Sequence, residues 1–220
     1  MKTNKFSLIL ASASPRRQEL LKSAGVPLEV IPSNTEEEFF PGEKPEKYVV
    51  RLAREKAGEV AKNYPDRWIL AADTVVVVDN RVLGKPKDAR EAGKMLRLLS
   101  GREHRVTTGY CLLHLSISKR KEGHVTSRVR FKHLSSEEIR WYIATREPFD
   151  KAGGYAIQGK GAFMIKGVSG SYTNVVGLPL CEVIEALKEV GAAEIFLFSP
   201  QRAQRTQRIK KIPKAKIQKR

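Results

Sequence analysis

The sequence predicts an α/β fold, a mixed β-sheet with flanking helices, as one domain over residues 1–200 with a basic tail over 201–220. Three observations predict it. Short apolar runs suited to buried strands alternate with helical segments along the chain. Some β-rich runs meet in hairpins, which a simple doubly wound parallel sheet does not need. At 220 residues and 41% hydrophobic content, with no internal repeat, the chain can bury one sizeable core.

Leu8, Ile9 and Leu10 suit a buried strand, and Ser14 followed by Pro15 reads as an N-cap and the first residue of a helix. "PLEVIPSN" is a second strand, running into the acidic loop "TEEEFFPGEKP". A long helix follows from about Glu46 to Asn63. "RWILAADTVVVVDNRVLGKP" reads as a hairpin turning at Asp79-Asn80. Asp88 and Glu91 have capping-box spacing for a helix with Ala92, Met95, Leu96 and Leu99 on one face, closed by Gly101. Strands around Arg105 to Leu115 and Val125 to Phe131 flank a basic turn, "SKRKEG". Ser135 with Glu138 opens another helix, a glycine-rich segment runs from Gly153 to Gly177, and Pro179 begins a last helix ending near Gly191.

No apolar run approaches the roughly 18 residues of a membrane span. The basic start at Met1 to Lys5 leads into a strand without a signal-peptide core, so a cytoplasmic protein with no membrane partner is expected. Cys111 and Cys181 lie in apolar contexts without ligand spacing, which predicts buried free thiols. The formal charge of +17 suggests a nucleic-acid binder until it is mapped. Residues 201–220 hold nine Lys or Arg and no acid, leaving +8 upstream. That tail lacks an apolar period and reads as disordered in isolation, open to non-specific contact with nucleic acid. The remaining charge suits a small anionic substrate equally well.

Several residues stand where they cost something. Arg16 and Arg17 fall in the first turn of a helix, where free N–H groups and the dipole already favour an anion. Two cations there make sense around a phosphate, with the Ser12 and Ser14 hydroxyls beside them; solvated side chains or a pair with Glu19 is the alternative. Asp73 lies inside "ILAADTVVVV", where an unpaired buried carboxylate is too costly to persist. It needs a cation, hydrogen bonds or a proton, as a metal ligand, a general base or a structural partner of Thr74. Lys56 sits on the apolar stripe of Val49, Leu52, Ala53, Ala57 and Val60, so it faces inward or snorkels. Lys85, between Gly84 and Pro86, ends the strand returning beside Asp73. It is aimed at a ligand or at solvent. Glu36, Glu37 and Glu38 form a solvated acidic loop unless a metal gives them a task. Gln158, in "DKAGGYAIQGKG", has both donor and acceptor for a base edge.

In order, "LASASPRR", "AADTVVV", "GKP", "DKAGGYAIQG" and "GSYTNVVGLP" resemble the Maf family of nucleotide pyrophosphatases, across roughly Leu8 to Gly191. The "DKAGGYAIQG" form with paired arginines resembles the subgroup acting on dTTP and UTP. The resemblance implies a fold like that of the inosine triphosphate pyrophosphatases with a deep substrate cleft, often dimeric. It also implies hydrolysis of a nucleoside triphosphate to monophosphate and pyrophosphate with Mg2+ or Mn2+. It places the catalytic base on Asp73, cationic groups of the phosphate side on Lys56, Lys85, Arg16 and Arg17 with Ser12, and metal carboxylates on Asp73 with Glu36 or Glu37. Arg16, Thr74 and Gln158 fall where the family sets base specificity. The competing class is a basic nucleic-acid-associated protein with a vestigial pocket, which has no need of a buried Asp73 and Lys56.

Overall fold

The computed structural model describes residues 8–192, so the boundary expected at residue 200 and the basic tail lie outside the described residues. In chain order the elements are β1 (Leu8–Leu10), α1 (Pro15–Ser23), β2 (Leu28–Val30), α2 (Pro45–Asn63), β3 (Ile69–Val78) and β4 (Arg81–Leu83). They continue with α3 (Ala89–Leu99), β5 (Glu103–His114), β6 (Lys119–Phe131), α4 (Ser136–Ala144), β7 (Ile165–Ser169), α5 (Tyr172–Val176) and α6 (Leu180–Glu189). Three 3-10 turns, Glu147–Asp150, Ala152–Gly154 and Gly159–Met164, join α4 to β7. No helix among the described residues is long and apolar enough to cross a membrane.

The sheet runs β2-β1-β3-β5-β6-β7, with β4 added to β3. β1 pairs parallel with β2 and β3, and every other pairing among the described residues is antiparallel, so the sheet is mixed as expected. Strand β3 carries β5 along one edge from Ile69 to Val77. Its other edge is shared: β1 holds Ile69 and Leu70, while β4 holds Val76 to Val78. Between them the edge of β3 around Ala72 to Val75 has no strand partner among the described residues, and that interruption positions the site.

Alternation along the strands sorts the core into two faces. Ile9, Ile69, Ala71 and Cys111 pack under Ala53, Ala57, Val60 and Ala61 of α2. Leu8, Leu10, Leu70, Ala72 and Leu112 pack on the opposite face against Leu21 of α1 and Val183 and Leu187 of α6. By the same alternation Asp73 belongs to the α2 face and Thr74 to the other. Gly109 lies opposite Asp73 in the register. A Cβ there would stand 2.5 Å from the Val49 carbonyl carbon and 2.6 Å from the Val50 nitrogen, so its absence lets the α2 backbone sit directly on the sheet.

Local chemistry accounts for the ends of the elements. Asp79 and Asn80 adopt φ of 46° and 60°, the left-handed pair that a two-residue hairpin requires. Asp88 caps α3 by accepting the Glu91 N–H, although the return bond from Glu91 goes to the Lys87 N–H. Ser135 and Glu138 form the full reciprocal box on α4.

Three expectations are corrected. "SKRKEG" is not the turn: Lys119 to Gly123 pair with β5, and the chain reverses over Leu115 to Ser118, where Ser118 takes φ of 51°. Salt bridges from Arg54 to Glu122 and from Lys121 to Glu189 anchor this charged strand to helices, and the Tyr110 ring lies where a Gly123 Cβ would point. The glycine-rich segment contains β7 and α5, the latter begun by Ser171 accepting the Asn174 N–H. Cys111 is buried, and burial pushes its thiol up to about 12, but Cys181 is exposed in the first turn of α6.

Candidate active site

The interruption in the β3 edge opens into a cleft of about 430 Å3. Among the described residues that line it, Arg16, Arg17, Lys56, Lys85 and Lys151 outnumber Glu37, Asp73 and Asp150. The excess of positive charge suits an anion.

Lys56 faces inward, 8% exposed, as its place on the α2 stripe predicts. Its Nζ donates to Asp73 Oδ1 at 2.7 Å and to Glu37 Oε1 at 2.7 Å. Asp73, 6% exposed, therefore has the cation its burial demands. Lys85 Nζ reaches the same Glu37 carboxylate at 3.1 Å and 3.3 Å, so the four groups form a chain across the cleft. Glu37 is the member of the acidic loop that lines the cleft, still exposed but held by both lysines; Glu36 is off the lining.

The loop is pinned on both sides of Glu37. Glu59 of α2 accepts from the Asn34 N–H at 2.8 Å and from the hydroxyls of Ser33 and Thr35. Arg51 donates to the Glu38 carbonyl at 2.8 Å and to both oxygens of Glu43, with its guanidinium 4.1 Å from the centre of the Phe40 ring. Sequence reasoning missed both tethers, because Glu59 and Arg51 read as ordinary helix-surface charges.

Burial by itself raises the Glu37 carboxyl, but the charges and hydrogen bonds of Lys56 and then Lys85 outweigh it and hold the group down to about 2. A folded value below the ordinary 4.5 means that this pairing contributes stability above that pH and loses it as pH falls toward 2. A carbon-13 titration should find Glu37 still ionised at about pH 4, and a midpoint at the ordinary carboxylate value would show that the lysines do not bracket it.

The two arginines take different places. Arg17 turns to the other face of β3, where Nε donates to the Gly177 carbonyl at 2.7 Å and Nη1 to the Ala72 carbonyl at 2.8 Å. Nη1 also reaches Ser12 Oγ, and Nη2 reaches Thr74 Oγ1, both at 3.1 Å. Four of its five N–H groups are thus bonded to protein, and Arg17 closes the bare edge of β3 where a strand would otherwise pair. Burial lowers its pKa, while the nearby charges of Asp73 and Glu37 work to raise it. Arg16 lines the cleft and has no hydrogen bond or ion pair among the described residues. No side-chain oxygen caps the first turn of α1; the Ser14 N–H donates instead to Ser12 Oγ at 3.2 Å.

Thr74 lies beneath this turn with its hydroxyl engaged: it accepts from Arg17 and lies 2.9 Å from Thr108 Oγ1. Gln158 is exposed on the cleft rim, and Lys151 is held by Asp150 at 2.6 Å and the Glu147 carbonyl at 2.8 Å. Asn174, also missed, is fully buried and donates to the Val106 carbonyl and Ser127 Oγ, fixing α5 and hence the Gly177 carbonyl that seats Arg17.

An α/β protein whose cleft opens at an interrupted strand edge, with cations gathered around two converging carboxylates, is of a class built to hold a small polyanion beside an acid–base group. The chain belongs to the Maf-like family, whose model, described as Maf-like protein, matches residues 7–190. It is 53% identical over 194 residues to the dTTP/UTP pyrophosphatase of Geotalea uraniireducens (strain Rf4), covering 86% of this chain and 98% of that protein. It is 54% identical over 185 residues to the dTTP/UTP pyrophosphatase of Syntrophus aciditrophicus (strain SB), covering 84% and 90%. Among solved structures, a HAM1 protein from Coxiella burnetii aligns with a TM-score of 0.45 and 16% identity over 84% of this chain and 99% of that one.

Proposed function

We propose that this protein hydrolyses dTTP and UTP to the nucleoside monophosphate and pyrophosphate, with a divalent cation. The observation that carries the reading is the convergence of Asp73 and Glu37 on Lys56, beside a helix start that presents Arg16. The names of the relatives support the substrate class.

Each residue has a role that its contacts allow. Asp73 is the base that takes a proton from the attacking water. Lys56 holds the Asp73 and Glu37 carboxylates aimed at one point. Arg16 and Lys85 bind phosphate oxygens. Ser12 Oγ already accepts from Ser14 N–H and Arg17, so its own proton is left to donate to a phosphate. Arg17 positions this group and adds charge without direct contact. Thr74 acts through Arg17, because its hydroxyl already has partners. Gln158 offers an amide to the O4 and N3–H edge of thymine or uracil, an acceptor and a donor that cytosine reverses with its N4 amino group and unprotonated N3.

No cluster of three His, Cys, Asp or Glu side chains gathers among the described residues. Two converging carboxylates nevertheless fit Mg2+ or Mn2+, since such ions commonly take one or two carboxylates and complete their shell with water and phosphate. Asp73 and Glu37 are the residues that would hold the cation. When bound it neutralises charge on the triphosphate as pyrophosphate leaves.

A nucleotide panel with and without Mg2+ tests the reading. Faster cleavage of dTTP and UTP than of CTP, ATP and GTP, with pyrophosphate as first product, is expected. A purine preference, or orthophosphate released first, would overturn it. Cutting the chain after residue 200 should leave the constants for UTP nearly unchanged, because all the described cleft residues lie upstream. Affinity for nucleic acid should fall with that cut and show a steep salt dependence in the full chain. Loss of hydrolysis instead would place the tail within the catalytic domain.

A further inference from the structure

Gln158 sits on a loop with little regular structure of its own, yet a group that reads a base must be held in place. The loop is held from beneath by two side chains that no cleft contact explains. Tyr142 of α4 is fully buried, and its hydroxyl accepts from the Ala156 N–H at 3.1 Å while donating to Glu147 Oε1 at 3.0 Å. The same Glu147 oxygen accepts from the Gly161 N–H at 3.0 Å, and Oε2 accepts from the Lys160 N–H at 3.0 Å. The backbone is therefore gripped two residues before Gln158 and two and three residues after it.

The glycines show how tightly the loop wraps. Gly159 takes φ of +70°, and a Cβ there would meet Glu147 Oε2 at 2.9 Å. A Cβ on Gly161 would meet the Tyr142 hydroxyl oxygen at 2.7 Å and the Ala156 carbonyl oxygen at 2.5 Å. The loop can close on the pair only because both positions lack a side chain. Tyr142 and Glu147 do not line the cleft.

We propose that Tyr142 and Glu147 are positioning residues for base selection, fixing the Gln158 loop at the height where its amide meets the pyrimidine edge. The inference rests on the reading of the chain as a dTTP/UTP pyrophosphatase. Phosphate binding and the proton transfer at Asp73 lie on other elements and do not depend on the pair.

Glu147→Gln replaces one acceptor oxygen by a donor, so one loop N–H loses its partner. Tyr142→Phe removes only the hydroxyl and keeps the buried ring, a second route should the first variant fail to fold. In either variant KM for UTP is expected to rise about tenfold, with kcat at saturation nearly unchanged and the UTP-over-CTP preference reduced. Inhibition by tripolyphosphate, which has no base, should not move. Amide exchange at Ala156, Lys160 and Gly161 should speed up. An unchanged UTP-over-CTP ratio in a folded variant would overturn the proposal, and so would equal weakening of UTP and tripolyphosphate. Gln158→Ala separates the causes. If wild type does not prefer UTP, the functional reading itself fails. If Gln158→Ala loses the preference while the two variants keep it, the positioning role alone fails; if Gln158→Ala keeps it, Gln158 is not the reader and the proposal falls too.

Discussion

Asp73→Asn is expected to lower turnover of UTP by about 100- to 10,000-fold, the range a general base contributes, while the protein stays folded. The amide keeps the shape of the carboxylate, and its oxygen can still accept from Lys56 Nζ, which retains Glu37 as a second partner. What it loses is the charge and the ability to take a proton. Steady-state kinetics with saturating Mg2+, beside a melting curve of the same sample, measures both. A folded variant working at near wild-type rate would remove Asp73 from the role of base.

Lys56→Met should be the more damaging change to stability. The side chains of Lys56 and Asp73 are only 10% and 9% exposed, so solvent does little to screen a carboxylate left alone. Breaking such a pair costs about 3–5 kcal/mol. Methionine keeps the stem packed against α2's neighbours, which isolates the loss of charge. Denaturant curves at neutral pH should show the variant unfolding at lower denaturant than wild type with an unchanged slope. Adding Asp73→Asn to Lys56→Met should restore part of the stability, because the two changes share one interaction. Additive losses would mean that the contact contributes little.

Asp73 and Lys56 were legible in the sequence because a charge inside an apolar run or on an apolar stripe is a local anomaly. The strands β1 to β5, the helices opening at Asp88 and Ser135 and the mixed character of the sheet were legible too, because apolar runs, caps and hairpin turns are local signals. Arg16 and Arg17 were not separable, since adjacent residues differ only by about 100° around a helix and nothing local says which direction meets the Gly177 carbonyl. Choosing Glu37 over Glu36 needed the loop path set by Glu59 and Arg51, a contact across more than a dozen residues. The run "KRKEG" misled because its charge imitates a turn, whereas its partners are on α2 and α6. β7 and α5 stayed hidden in a glycine-rich segment whose hydrogen bonds are made with β5 and β6.

The bare position at Gly109 should extend sensitivity to mutation from the cleft to a strand position that lines none of it. Asp73 and its counter-charge Lys56 meet because a backbone stands flush against a sheet, so the spacing is written in an atom that is missing. In a pooled library selected for nucleotide hydrolysis, position 109 should be depleted of every substitution, alanine included, as position 73 should be. The exposed residues near it on β6 should accept most changes. A map of sensitivity would then draw the active site larger than its ligand, with an outlying point on the far side of the sheet's central strand.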